Sequence, residues 1–315
     1  MVLRDLNHHK QIMTRFVKVG PDSSVNEMPP DATCVSGGHC RDRIMVRPID
    51  ADLRECSCYH ASMRCLLLLP LGLILAIGGC SSQRVKDPDL TFDPAGPIAV
   101  DVNAFSGDIT VEAAEKHDRV RVRLHREAIH GSGRSREAEA SLWDIQYDAD
   151  LVGTEAGQVL RVETRTLYNQ PHLQRSHLTI TAPSIAGLTI VTTRGRVEAV
   201  DVTGPLDIST TEESVEVMSE RAVTSPVRIV TDDGDIDYRV GPGSGGTFDA
   251  TSERGRVLHR VDYGRMQLLT GSGARQLRAV VDRNEAPIVL RTTDGDIRIA
   301  VVEHPKRVGR WIPWP

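Results

Sequence analysis

No cysteine follows Cys80 in this chain of 315 residues; all six, Cys34, Cys40, Cys56, Cys58, Cys65 and Cys80, lie in the first quarter. Everything after Cys80 therefore lacks disulfides and thiol chemistry. Aromatic residues are scarce, with four Phe, five Tyr and three Trp, too few for a large aromatic-lined pocket. A dominant charge is missing too: the formal net charge is −5, mild and mixed, which argues against an electrostatic nucleic-acid binder. No apolar run reaches the ~20 residues that span a bilayer. What is present, 40% hydrophobic and 26% charged residues, excludes wholesale disorder. At roughly 150 residues per domain, the length permits one large domain or two modest ones.

The longest apolar run lies just before Cys80. Residues 63–79 hold a Met, one Arg, a leucine-rich stretch and then small residues, the layout of a secretory signal. The end of that stretch, Ile77-Gly78-Gly79-Cys80, resembles the lipobox of bacterial lipoproteins. The resemblance implies cleavage before Cys80, lipid on its thiol and acylation of the new N-terminus. Several acyl chains hold a protein stably on a membrane, where one is marginal. Ser81 and Ser82 follow, with no Asp in second position, which by resemblance to the enterobacterial sorting rule favours the outer membrane. The competing reading is a buried core segment ending in an unrelated cysteine.

A signal should begin the chain, yet 62 residues precede Met63. Residues 1–62 carry no sustained helical or strand period, so Met63 is expected to be the true start. The rival reading takes Cys34, His39, Cys40, Cys56, Cys58 and His60 as a zinc site. Their spacings contain no CxxC pair and match no standard finger.

Beyond the signal the chain repeats. Thr192-Thr193-Arg194-Gly195-Arg196-Val197, Thr231-Asp232-Asp233-Gly234-Asp235-Ile236, Ser252-Glu253-Arg254-Gly255-Arg256-Val257 and Thr292-Thr293-Asp294-Gly295-Asp296-Ile297 are the clear copies. Weaker ones centre on Glu213 and Gly273, and an outlying one on Gly107. Steps between turn positions 195, 213, 234, 255, 273 and 295 are 18, 21, 21, 18 and 22 residues. Apolar residues alternate on both sides: Val100, Leu188, Leu206, Val227, Phe248, Met266 and Ile288 stand seven before a turn, and Ile109, Val197, Val215, Ile236, Val257 and Ile297 two after. Such alternation marks strands with one face inward. Glycine supplies the positive φ of a tight turn at Gly107, Gly195, Gly234, Gly255, Gly273 and Gly295. Glu213 cannot do so cheaply, so its rung is expected to turn differently. Two strands per ~20 residues are too few to fold alone and must stack, and a propeller blade would need ~40 residues. The expected fold is all-β: a β-solenoid of stacked two-strand rungs over residues 183–302.

These G-D-I/V turns behind a lipoprotein signal resemble the uncharacterised bacterial "putative adhesin" family of β-solenoid domains. The resemblance covers roughly residues 98–302, with a break between 112 and 182. It implies fold more than function and carries over no functional residues. Within the break, 119–124, 145–147, 159–163 and 178–181 alternate as strands. Ser135 to Leu142 reads as a short helix capped by Ser135, with Glu137 and Glu139 near its positive end. The expected organisation is an extension without a fold (1–62), a signal (63–79), a tether (80–97), an N-terminal β region (98–182), the repeats (183–302) and a tail (303–315). Trp311 to Pro315 of that tail are expected to cover the last rung.

Chemistry-bearing constellations are few. The acidic turn residues Asp232, Asp233, Asp235, Asp294 and Asp296 lack the EF-hand and nonapeptide calcium patterns; turn chemistry is favoured, with Arg254 and Arg256 one rung from Asp233 and Asp235. Residues 241–246 are glycine-rich without a following Gly-Lys-Ser/Thr and read as a connection. No G-x-S-x-G occurs, and His117, His125, His130, His172, His177, His259 and His304 show no H-E-x-x-H spacing. His259 is expected inward, beside Tyr238. No cofactor, metal or catalytic residue is assigned. The expectation is a non-enzymatic, lipid-anchored envelope protein whose partners are the membrane, through Cys80, and another envelope protein or a glycan. The alternatives are a glycan-binding or glycan-cleaving solenoid using surface carboxylates, or a scaffold that assembles end to end.

Overall fold

In the computed structural model, residues 81–130 and 133–308 are described; Cys80, Ile77, Gly78, Gly79 and Trp311 to Pro315 lie outside them. The chain opens with β1 (Ser81–Lys86), β2 (Leu90–Phe92), β3 (Ile98–Ala104), β4 (Ile109–Ala113) and β5 (Val120–His130). Helix α1 (Ser135–Ser141) and a 3-10 turn lead into β6 (Ile145–Thr154), β7 (Gly157–Thr166) and β8 (Gln174–Ala182). Then come β9 (Ile185–Arg194), β10 (Val197–Val200), β11 (Leu206–Glu212), β12 (Val215–Ser219), β13 (Val227–Asp233) and β14 (Ile236–Val240). The last strands are β15 (Gly246–Ser252), β16 (Val257–Val261), β17 (Met266–Leu268), β18 (Gln276–Val281), β19 (Pro287–Asp294) and β20 (Ile297–Val301). Among the described residues α1 is the one α-helix, and no helix is long and apolar enough to cross a membrane.

Two mixed sheets of ten strands face each other across one core. The front sheet runs β17-β18-β15-β19-β13-β11-β9-β3-β7-β6. The back sheet runs β1-β5-β8-β4-β10-β12-β14-β20-β16, with β2 also on β5. From β9 to β16 the chain alternates between front and back, and like strands pair in parallel. The pairing is in phase with the apolar pattern. Val100, Leu188, Leu206, Val227, Ile288 and Phe248 form one column on the front sheet. Ile109, Val197, Val215, Ile236, Ile297 and Val257 form its counterpart behind. Each such buried side chain contributes about 1.5–3 kcal/mol of hydrophobic stabilisation.

The outlying copy is the true neighbour of the repeats: β3 pairs with β9 and β4 with β10. Stacking does not follow chain order at the far end. Strands β19 and β20 insert between β13/β14 and β15/β16. The Gly273 copy does not build a rung of this kind. Its flanks are β17 and β18, which pair antiparallel, and Leu268 is exposed. The stretch expected as a tether carries β1 and β2, both antiparallel to β5. Helix α1 forms where expected, but its cap is Arg134, without a side-chain capping bond, rather than Ser135. The tail through Val308 lies against the outer face of the back sheet, where Arg239 on β14 donates to the carbonyls of Pro305 and Val308.

Candidate functional site

The turns that join front to back strands lie in register, each over the next. Gly107, Gly195, Gly234 and Gly295 all have positive φ. At Gly195 an added Cβ would strike the carbonyl of Gly107, and at Gly295 that of Gly234. Close approach of neighbouring turns, as well as φ, thus requires glycine there. Glu213 turns as the glycines do, with φ at +82°, contrary to the expectation that its rung would turn differently. Gly255 and Gly273 are not among the positive-φ residues. Gly255 nonetheless packs on the carbonyl of Gly295, whereas Gly273 bridges to Gln276.

A second column lies beneath. Thr192, Thr210, Thr231, Thr292 and Ser252 are buried, and each hydroxyl donates to a turn carbonyl. Thr210 reaches Glu212 at 2.9 Å, Thr292 reaches Gly234 at 2.9 Å and Ser252 reaches Gly295 at 2.7 Å. A buried carbonyl left without a donor would cost about 1–3 kcal/mol. This explains the Thr or Ser that recurs three residues before turn positions 195, 213, 234, 255 and 295, a signal the sequence reading passed over.

The aspartates after the turn glycines bind backbone. Asp108 Oδ1 accepts from the N–H of Arg196 at 3.0 Å, Asp235 Oδ1 from Asp296 at 2.8 Å and Asp296 Oδ1 from Arg256 at 2.8 Å. Each ties its turn to the adjacent one. Because β19/β20 intervene, Arg254 and Arg256 face Asp294 and Asp296, not Asp233 and Asp235; Asp235 pairs with Arg298 at 3.0 Å. His259 is likewise displaced. It sits exposed on edge strand β16, opposite Ile299, and Ile299 rather than His259 adjoins Tyr238. Tyr238 is fully buried edge-on to Phe248, its ring 6.3 Å away, and its hydroxyl has no hydrogen-bond partner among the described residues.

Two ionic clusters lie on the outer side of the back sheet. His177 stands between two carboxylates: Nε2 is 2.9 Å from Glu127 Oε2, and Nδ1 is 3.3 Å from Asp108 Oδ2 and 3.2 Å from the Asp108 backbone nitrogen. A neutral ring accepts at Nδ1 from that N–H while donating to Glu127; an imidazolium donates to both carboxylates. The hydrogen bond to Asp108 is the main cause that raises the His177 pKa, assisted by Glu127 and opposed by burial. Burial raises Glu127, but His177 and Arg84 together outweigh it and hold it below the usual carboxylate range. The other cluster centres on buried Arg239, which pairs with Glu216 and, at 3.2 Å, with Asp237; Arg196 also reaches Glu216. A shallow open depression of about 420 Å³ lies between β16 and the tail, lined by Arg260, Tyr263, Glu303, His304 and Arg307. Among the described residues no group of acidic, histidine or cysteine side chains is arranged to hold a metal.

The outer face of the front sheet carries a row of exposed residues. Asp101, Thr189, Asp207 and Arg228 follow one another across β3, β9, β11 and β13, all exposed, and Val191 beside them is 51% exposed. Asp207 and Arg228 pair at 2.8 Å.

No family model matches the chain, and no curated protein matches it. Three solved structures are similar to it. A "putative cell adhesion protein" from Clostridium sporogenes ATCC 15579 is 9% identical, with a TM-score of 0.44, over 69% of this chain and 99% of that one. A "putative adhesin" from Bacteroides fragilis NCTC 9343 is 10% identical, with a TM-score of 0.23, over 69% and 97%. A "putative lipid binding protein" from Parabacteroides distasonis ATCC 8503 is 9% identical, with a TM-score of 0.19, over 72% and 96%. All three TM-scores lie below 0.5, so the account of fold and site rests on this chain's own geometry.

Proposed function

We propose that the chain is a non-catalytic envelope lipoprotein, held on the outer membrane by acylated Cys80, whose rungs form a β-solenoid with an adhesin-like binding surface. The observation that carries the reading is the open outer face of the front sheet. Parallel sheets are usually covered on both faces, yet here a continuous row of polar and charged side chains stands uncovered across four parallel strands. Such a face suits an extended partner, another envelope protein or a glycan, read by many weak contacts rather than one pocket. The lipobox-like residues Ile77 to Cys80 support the anchor.

Intact mass and membrane fractionation of the natively expressed protein test the anchor. The expected species begins with acylated Cys80 in the membrane fraction; an unprocessed soluble chain from Met1 overturns the reading. Binding to purified cell-wall glycan tests the surface. Asp207→Arg and Arg228→Glu, each made singly, should weaken binding gradually, whereas a turnover that is abolished by changing one or two acids on adjacent rungs would instead reveal an enzyme.

A further inference from the structure

The strand that follows Cys80 leaves no slack between anchor and domain. Ser81, the next residue, already belongs to β1, in register with His130 of β5. The ring of His130 lies 5.8 Å from that of Tyr168. Leu167, beside Tyr168, donates its N–H to the Asp144 carbonyl at 3.0 Å, and Trp143 precedes Asp144. The end of the domain that carries β1 thus also carries two large apolar side chains that water should not favour: Trp143 is 61% exposed and Leu167 67%. One side of the Trp143 ring is met by Arg126, 5.6 Å from its centroid. Exposed Arg165, near the end of β7, lies two residues before Leu167. Arg126 is itself paired with Asp87, so the exposed cation here is Arg165; an exposed indole and leucine near such a cation are the residue types that settle at the lipid–water boundary. Both β1 and β6 end their sheets on this side, and β17, with exposed Leu268, ends the front sheet on the other.

We propose that the end of the domain carrying β1 and β6 rests directly on the bilayer, with Trp143 and Leu167 seated among the lipid headgroups. The rungs then lead away from the membrane, and the β17 edge stands roughly 40 Å off at ~4.8 Å per strand. The inference rests on the lipid-anchor reading and adds an orientation to it.

The test uses the full chain, purified from membranes and reconstituted in vesicles with or without brominated acyl chains, with Trp311→Phe and Trp314→Phe leaving Trp143 as the sole tryptophan. Trp143 emission should shift to the blue and be quenched by brominated lipid, and Leu167→Asp should reduce both effects. In a second protein, Trp143→Phe with Leu268→Trp, the reporter at the far edge should show neither. Acylated Cys80 with an unquenched Trp143, or equal quenching at both ends, overturns the orientation and leaves the anchor standing. Absence of acyl mass on Cys80 overturns the anchor, and the orientation with it.

Discussion

Glu213 and Gly195 occupy equivalent positions in consecutive turns, and their substitutions are expected to act with opposite sign. Glu213 is exposed and has φ at +82°; a left-handed conformation costs an L side chain about 1–2 kcal/mol. Glycine removes that strain but frees the unfolded chain, which offsets roughly 0.5–1 kcal/mol. Glu213→Gly should therefore stabilise the domain by about 0.5–1 kcal/mol. Gly195→Ala meets the same backbone strain, with φ at +118°, and its methyl group would collide with the Gly107 carbonyl. Backbone cannot swing aside, so β4 and β10 would have to part, and a loss of about 3 kcal/mol or more is expected. Urea unfolding followed by circular dichroism measures both; in thermal scans each kcal/mol corresponds to about 2–4 °C at this size. A lowered midpoint for Glu213→Gly, or an unchanged one for Gly195→Ala, would refute the argument that turn stacking demands glycine.

Two further outcomes follow from the ionic clusters. Arg239→Met removes the buried cation from Glu216 and Asp237 and from the tail carbonyls of Pro305 and Val308. Loss of one member of a buried pair costs about 3–5 kcal/mol; Arg196 still reaches Glu216, which places the expected cost at the lower end, and urea titration reads it. His177 titrates higher folded than unfolded, so its contribution is complete below about pH 6.5 and is lost as pH rises through the raised folded value. Glu127 titrates lower folded than unfolded, so its share is present above about pH 4.5 and is lost as pH falls through the depressed folded value. Melting temperature as a function of pH should therefore decline as pH rises through the raised His177 value, and His177→Asn should abolish that decline; an unchanged profile would count against the cluster.

Much of the architecture was legible because strand alternation is local. Val100, Leu188 and Leu206, spaced along the sequence at the same offset from a turn, meet in one column. Alternation cannot say which rung lies beside which, since every rung offers the same apolar face. That is why Arg254 was placed against Asp233 rather than Asp294, and why His259 was set beside Tyr238. The Gly273 copy shows the opposite failure: a turn-like sequence matched the period, but β17 and β18 pair antiparallel and leave the stack. The Thr/Ser column was written in the sequence three residues before five of the turn positions, yet for Thr231, Ser252 and Thr292 its meaning depends on carbonyls supplied by a neighbouring turn.

By itself, then, the sequence determined the strand period, the inward face of each strand and the glycine turns, because these depend on residues within one rung. Tertiary structure alone decided the insertion of β19/β20, the placing of β1 in the sheet directly after Cys80, and the gathering of His177, Glu127 and Asp108. Those arrangements join residues tens of positions apart, and only the packing of whole strands selects among partners that local chemistry leaves equivalent.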